Sequence, residues 1–172
     1  MNKTKLAISF DPGVTHFGVA GVSYDGKMVG LEFHKTFDIR GDRGQPDPIK
    51  LEAALNEVLG RADIMQRKYS EQIWYVIEYQ PPLATRSNPG LVRQNTYVEA
   101  FVEGWLRFGL QNVIKVAPSA VKRHFKFPKS ECQYRSNKQF SMKLVKDMSG
   151  IPVNDHISDC VLNAVYCLRE KV

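Results

Sequence analysis

Two short apolar runs, each ending in an acid, constrain this 172-residue chain more than any other feature. Ala7-Ile8-Ser9-Phe10 leads into Asp11, and Trp74-Tyr75-Val76-Ile77 leads into Glu78. Short runs of this kind read as buried strands. If the two strands are adjacent and parallel, their acids meet at the carboxyl edge of one sheet. Open α/β sheets hold ligands at that edge. Two close carboxylates repel, and one pKa rises unless a cation lies between them. A divalent metal resolves the conflict, and hard Mg²⁺ favours oxygen donors. Taken singly, Asp11 has the plain reading of a turn former and Glu78 that of an ion-pair partner.

The rest of the chain supplies a frame for such a sheet. Residues 5–11 and 17–24 read as strands. Asp25-Gly26 is a two-residue turn signal, and 28–38 makes a third strand, so the opening is an antiparallel meander. Residues 39–48, rich in Gly, Asp and Pro, read as a loop. From 49 to about 69, Leu51, Ala54, Leu55, Val58, Leu59, Ala62 and Met65 recur at helical spacing. A central strand at 73–77, a loop at 80–90 and a helix at 92–108 follow. A strand at 113–116 precedes a short helix from Pro118 to about Phe125. Residues 126–136 are basic and irregular, and two further helices are expected at 137–149 and 156–170. This order predicts an α/β fold: a mixed five-stranded sheet with helices on both faces, in one domain over residues 1–172.

The last helix opens with Asn154-Asp155-His156-Ile157-Ser158-Asp159. His156 and Asp159 are three apart, Asp155 and Asp159 four apart, so all three can share a face. Ile157, Val161, Ala164 and Leu168 suit packing on the sheet. Asp155 has the chemistry of an N-cap as well. Four such donors suffice for two metals, which in phosphodiester-cleaving sites lie roughly 4 Å apart.

The net charge is +6, and its placement matters more than its size. Residues 1–100 hold 12 basic and 12 acidic side chains, whereas 101–172 hold 12 and 6. Between Lys115 and Lys146 nine Lys or Arg face one acid, Glu131. Such a patch favours a polyanion through counterion release, or is simply a solvated basic face. Cys132, Cys160 and Cys167 are too scattered for a disulfide scaffold or a zinc site. Cys160 and Cys167 read as buried small hydrophobes. No apolar run approaches the roughly 18 residues of a membrane span, and the start lacks a signal peptide, so an intracellular protein is expected. No Walker-type loop is present, so no nucleotide cofactor is expected.

Asp11-Pro12-Gly13 with Gly18 five residues on, Ile77-Glu78-Tyr79-Gln80, and the late His156-x-x-Asp159 together resemble the RuvC-type and poxvirus-type Holliday-junction resolvase family. Val98–Gly104 and Pro118–Phe125 extend the resemblance, which runs over almost the whole chain. It implies an RNase H-like fold. It also implies metal ligation by Asp11, Glu78, His156 and Asp159, with Asp155 as the alternative to His156. Mg²⁺ is the implied cofactor, with Mn²⁺ as substitute. Lys122 is placed near the scissile phosphate, with Lys126 or Lys138 as alternatives. Arg123, Lys126, Lys129, Arg135, Lys138, Lys143 and Lys146 would track DNA backbones. Arg86 and Arg93 belong to the stretch after Glu78 that approaches the junction centre, where Tyr79 could stack on a base. The implied partner is branched DNA, cut as paired nicks by a homodimer. Phe101, Trp105 and Phe108 are candidates for the dimer surface or for plain core. An RNase H-like nuclease acting on RNA–DNA hybrids or structured RNA, and a non-catalytic nucleic-acid binder on the same fold, are the alternatives. The latter would be expected to have lost a metal ligand. A sugar kinase or actin-like ATPase would need a second lobe, for which the chain has no room.

Overall fold

The computed structural model describes residues 3–80, 89–109, 112–128 and 133–172. Its strands are β1 (Lys5–Asp11), β2 (Phe17–Tyr24), β3 (Val29–Phe37), β4 (Ile73–Glu78) and β5 (Val113–Val116). Its α-helices are α1 (Pro48–Tyr69), α2 (Pro89–Gly109), α3 (Pro118–His124), α4 (Gln133–Ser149) and α5 (Asp155–Glu170). The strands form one mixed sheet in the order β3-β2-β1-β4-β5. The first three are antiparallel, while β4 pairs parallel with β1 and β5 parallel with β4. The expected α/β architecture is therefore present.

Strand alternation decides which helix meets which side chain. Leu6, Ile8 and Phe10 share a buried cluster with Leu51, Leu55 and Val58 of α1 and Val98, Val102 and Leu106 of α2. Ala7 points the other way, into a second cluster with Val76 and with Ile157, Cys160, Val161, Ala164 and Leu168 of α5. By the same period of two, Asp11 and Glu78 belong to the α5 side. Phe10 pairs with Ile77, so the two acids follow at neighbouring strand ends. Small residues between sheet and helix let α5 lie close. A Cβ on Gly18 would meet Cys160 Sγ at 3.2 Å and the His156 carbonyl oxygen at 3.3 Å.

Helix boundaries follow local chemistry more than apolar spacing. Asp47 caps α1, accepting from the Ile49 and Lys50 amides, with Pro48 at the first helical position. Helix α2 spans Pro89–Gly109 and so includes three residues ahead of the stretch that the spacing predicts. Helix α4 starts at Gln133 rather than 137. No glycine or proline separates those four residues from the rest, and Gln, Tyr and Arg are adequate helix formers. The expected loop 39–48 contains a 3₁₀ turn at Asp42–Gly44 and a bridge between Arg40 and Pro46. No described helix is long and apolar enough to cross a membrane.

Candidate active site

Strands β1 and β4 deliver Asp11 and Glu78 to one edge, and α5 comes down over them. Asn154 caps α5, its side-chain oxygen accepting from the Ile157 amide at 2.9 Å. Asp155 is thus the first helical residue and not the cap. Its carboxylate is held by Lys138 Nζ of α4. Lys138, expected on the DNA track, accordingly ties α4 to the start of α5.

His156 lies between two acids. Its Nδ1 is 3.4 Å from Asp11 Oδ2 and its Nε2 is 3.9 Å from Asp155 Oδ1. The hydrogen bond with Asp11 raises the imidazole pKa, outweighing burial. Burial pushes the Asp155 carboxyl up, but the Lys138 hydrogen bond and the neighbouring charges leave it below its usual value.

One turn on, Asp159 shares a cavity of about 70 Å³ with Glu78 and Lys122, walled by Val121, Phe127 and Leu162. Burial first, and the charge on Asp11 second, push Asp159 up to about 7. The same two causes in the same order raise Glu78 well above the usual carboxylate range. Lys122 works against both shifts. Asn163, 2% exposed, donates from Nδ2 to Glu78 Oε2 at 2.9 Å and also holds its pKa down.

As the side chains stand, no three His, Cys, Asp or Glu among the described residues converge as a ready-made metal site. The donor chemistry nevertheless fits a hard divalent cation. Asp11, Glu78 and Asp159 press on one another electrostatically, and added positive charge is what relieves such a cluster.

Three residues near the acids carried no role in the sequence reading. Asn163 could have been found, because it is four residues beyond Asp159 on one helix face. Glu99, 3% exposed, accepts the Gln80 amide at 2.7 Å and pairs with Lys115, tying the chain that leaves Glu78 to α2 and β5. The His16 ring stacks on His156, with centroids 4.6 Å apart and planes 8° from parallel. Nothing in the spacing of residues 16 and 156 signals that contact.

The basic side chains divide. Lys122, Arg123 and Lys126 are exposed on and just after α3, and Arg135, Lys143 and Lys146 on α4; Arg93 is exposed on α2. Lys143 is paired with Asp147 at 2.6 Å. Arg86 and Lys129 lie outside the described residues. Lys115 Nζ lies over the Tyr79 ring at 5.3 Å. Phe101 and Trp105 pack against the core, whereas Phe108 is 97% exposed.

No protein-family model matches the sequence, and no curated protein matches it significantly. Solved structures do match. RuvC of Thermus thermophilus in complex with a Holliday-junction substrate aligns with a TM-score of 0.68 at 17% identity, covering 96% of each chain. Another structure of Thermus thermophilus RuvC gives 0.62 at 16% identity, over 95% of each chain. The yeast mitochondrial Holliday-junction resolvase Ydc2 gives 0.51 at 12% identity, over 92% of this chain and 74% of that one. The chain therefore has the RNase H-like fold of RuvC.

Proposed function

We propose that this chain is a divalent-metal-dependent endonuclease for branched DNA, four-way junctions foremost, acting as a homodimer that makes paired nicks. One observation carries the reading. Asp11, Glu78 and Asp159 interact electrostatically, and His156 adjoins Asp11, at the strand ends of a fold that matches RuvC from end to end. A neighbour of the same fold is bound to a Holliday junction, and the substrate class is carried from it.

Asp11, Glu78, His156 and Asp159 would hold the cations. Asp155 is the poorer candidate, because Lys138 already engages its carboxylate. Bound Mg²⁺ or Mn²⁺ would supply an activated water and offset charge on the phosphodiester. The chain's own residues do the positioning. Asn163 fixes one oxygen of Glu78, and the other accepts a longer contact from Gln80 Nε2 at 3.5 Å. Lys122, beside Glu78 and Asp159, offers an ammonium to a phosphate oxygen as charge builds on it. Arg123, Lys126, Arg135 and Lys146 would lie along the backbones and position the DNA without reading sequence. Phe108, with Leu59 and Trp105 around an apolar hollow of about 610 Å³, is the face offered to a second copy.

The test is cleavage of a labelled four-way junction beside duplex, flap and RNA–DNA hybrid, in Mg²⁺ or Mn²⁺, by wild type and Asp11→Asn. Paired symmetric nicks, lost in Asp11→Asn while binding persists, are the expected outcome. Cutting of the hybrid with the junction ignored would replace the substrate assignment. No metal-dependent cutting of any of these would replace the enzyme reading with a binding one.

A further inference from the structure

His156 is bounded on three sides. Asp11 meets its Nδ1 edge, and Asp155, itself fixed by Lys138, stands off its Nε2 edge. The third boundary is a ring face, covered by the imidazole of His16 in a near-parallel stack. Stacked aromatic rings attract beyond the surface they bury, and a flat neighbour resists rotation of the ring it covers.

The backbone that carries His16 is tightly held. The Gly13 amide donates to the Asp11 carbonyl at 2.9 Å, so the chain turns at once after the first acid. A Cβ on Gly13 would lie 2.7 Å from the His16 carbonyl oxygen, which makes this close return a glycine-only turn. Val14 is buried, and its carbonyl accepts the Ile39 amide at 3.2 Å. Phe17 is fully buried at the start of β2. Between these anchors His16 is exposed to solvent, with no burial of its own to explain an aromatic there.

We infer that His16 is a positioning residue whose ring holds the His156 imidazole in the orientation that aims Nδ1 at Asp11. Its consequence for metal binding rests on the reading of His156 as a ligand; the contact itself does not. Hydrogen-bonding groups that orient a metal-ligating histidine are typically worth about 10- to 100-fold in metal affinity, and a stacked ring, which makes no such bond, should fall at the low end. His16 acts through stacking, so a flat apolar ring should replace it.

The experiment compares wild type, His16→Ala, His16→Phe and His156→Ala. Ring signals of His156 are followed by NMR in the metal-free protein, and Mn²⁺ binding by calorimetry. His16→Ala should broaden the His156 ring signals by exchange between ring orientations, an effect that loss of a neighbouring ring current alone does not produce, and weaken Mn²⁺ binding roughly tenfold. His16→Phe should restore both. His156 ring signals no broader in His16→Ala than in wild type would overturn the inference, as would failure of His16→Phe to narrow them again. Mn²⁺ affinity kept in His16→Ala but lost in His156→Ala would equally overturn it. If the ring depends on His16 while His156→Ala binds Mn²⁺ as wild type does, the positioning contact stands. The ligand assignment beneath it then falls.

Discussion

At the residue scale, the acids of the cluster set the pH behaviour. The Asp159 carboxyl titrates near about 7 in the folded chain against an ordinary value of 3.8, and Glu78 is raised in the same sense. A carboxyl whose folded pKa exceeds its unfolded value binds more protons when folded, so stability falls as pH rises between the two. His156, also raised, loses its contribution in the same direction as pH climbs past its folded value. In chelator, the melting temperature should therefore decline from about pH 4 to about pH 8. Asp159→Asn should remove its own share of that decline and leave the share due to Glu78 and His156, and Mn²⁺ should reverse the decline in wild type. Thermal melts across this range check it; a flat or rising curve in chelator would refute the raised carboxyls. Asp11 and Glu78 were legible in the sequence because each ends an apolar run. The raised pKa of Glu78 was not, because it comes from burial in the folded chain and from the charge on Asp11, with Asn163 and Lys122 opposing it from α5 and α3.

At the element scale, the seating of α5 decides whether the donors meet. Gly18 pairs with Asp11 across β1 and β2 and faces the first turns of α5. In an ordinary mid-strand position, valine improves on glycine. Here its branches would enter space occupied by Cys160 Sγ, the His156 carbonyl and Asp11 Cβ at 3.2 to 3.5 Å. Gly18→Val should destabilise the protein by about 1–3 kcal/mol, the usual cost of overpacking. It should also weaken Mn²⁺ binding more than Gly21→Ala, whose nearest obstacle is the Phe33 ring, away from α5. Denaturant titration and calorimetry read the two effects; a stabilised Gly18→Val would show that α5 is not seated on that glycine. The apolar periodicity located most elements to within a residue or two. It left out the first three described residues of α2 and the first four of α4, because Pro89-Gly90 and Gln133–Ser136 carry no apolar period.

At the scale of the whole molecule, charge governs how DNA would be held. Arg123 and Lys126 are exposed at the end of α3, next to the cavity that holds Lys122. If each contacts one phosphate, Arg123→Ala with Lys126→Ala should lower the slope of log affinity against log salt by roughly two. Junction binding measured over a series of salt concentrations checks this, and an unchanged slope would remove both from the track. The cleavage rate at saturating DNA should be unaffected, because neither residue lies in the acid cluster. Lys138 shows why counting charges overstates such a surface, since it is engaged by Asp155.

Sequence alone determined the elements, the sheet-edge acids and the helix face bearing His156 and Asp159. Those depend on local periodicity: two in strands, 3.6 in helices, with breakers between. Tertiary structure alone decided that Asn163 orients Glu78, that Lys138 takes Asp155, and that the His16 ring covers His156. Those partners stand 85, 17 and 140 residues apart in the chain, and no local pattern links them. They meet because α5 packs on the sheet and against α4, with small residues such as Gly18 letting it close on the strands.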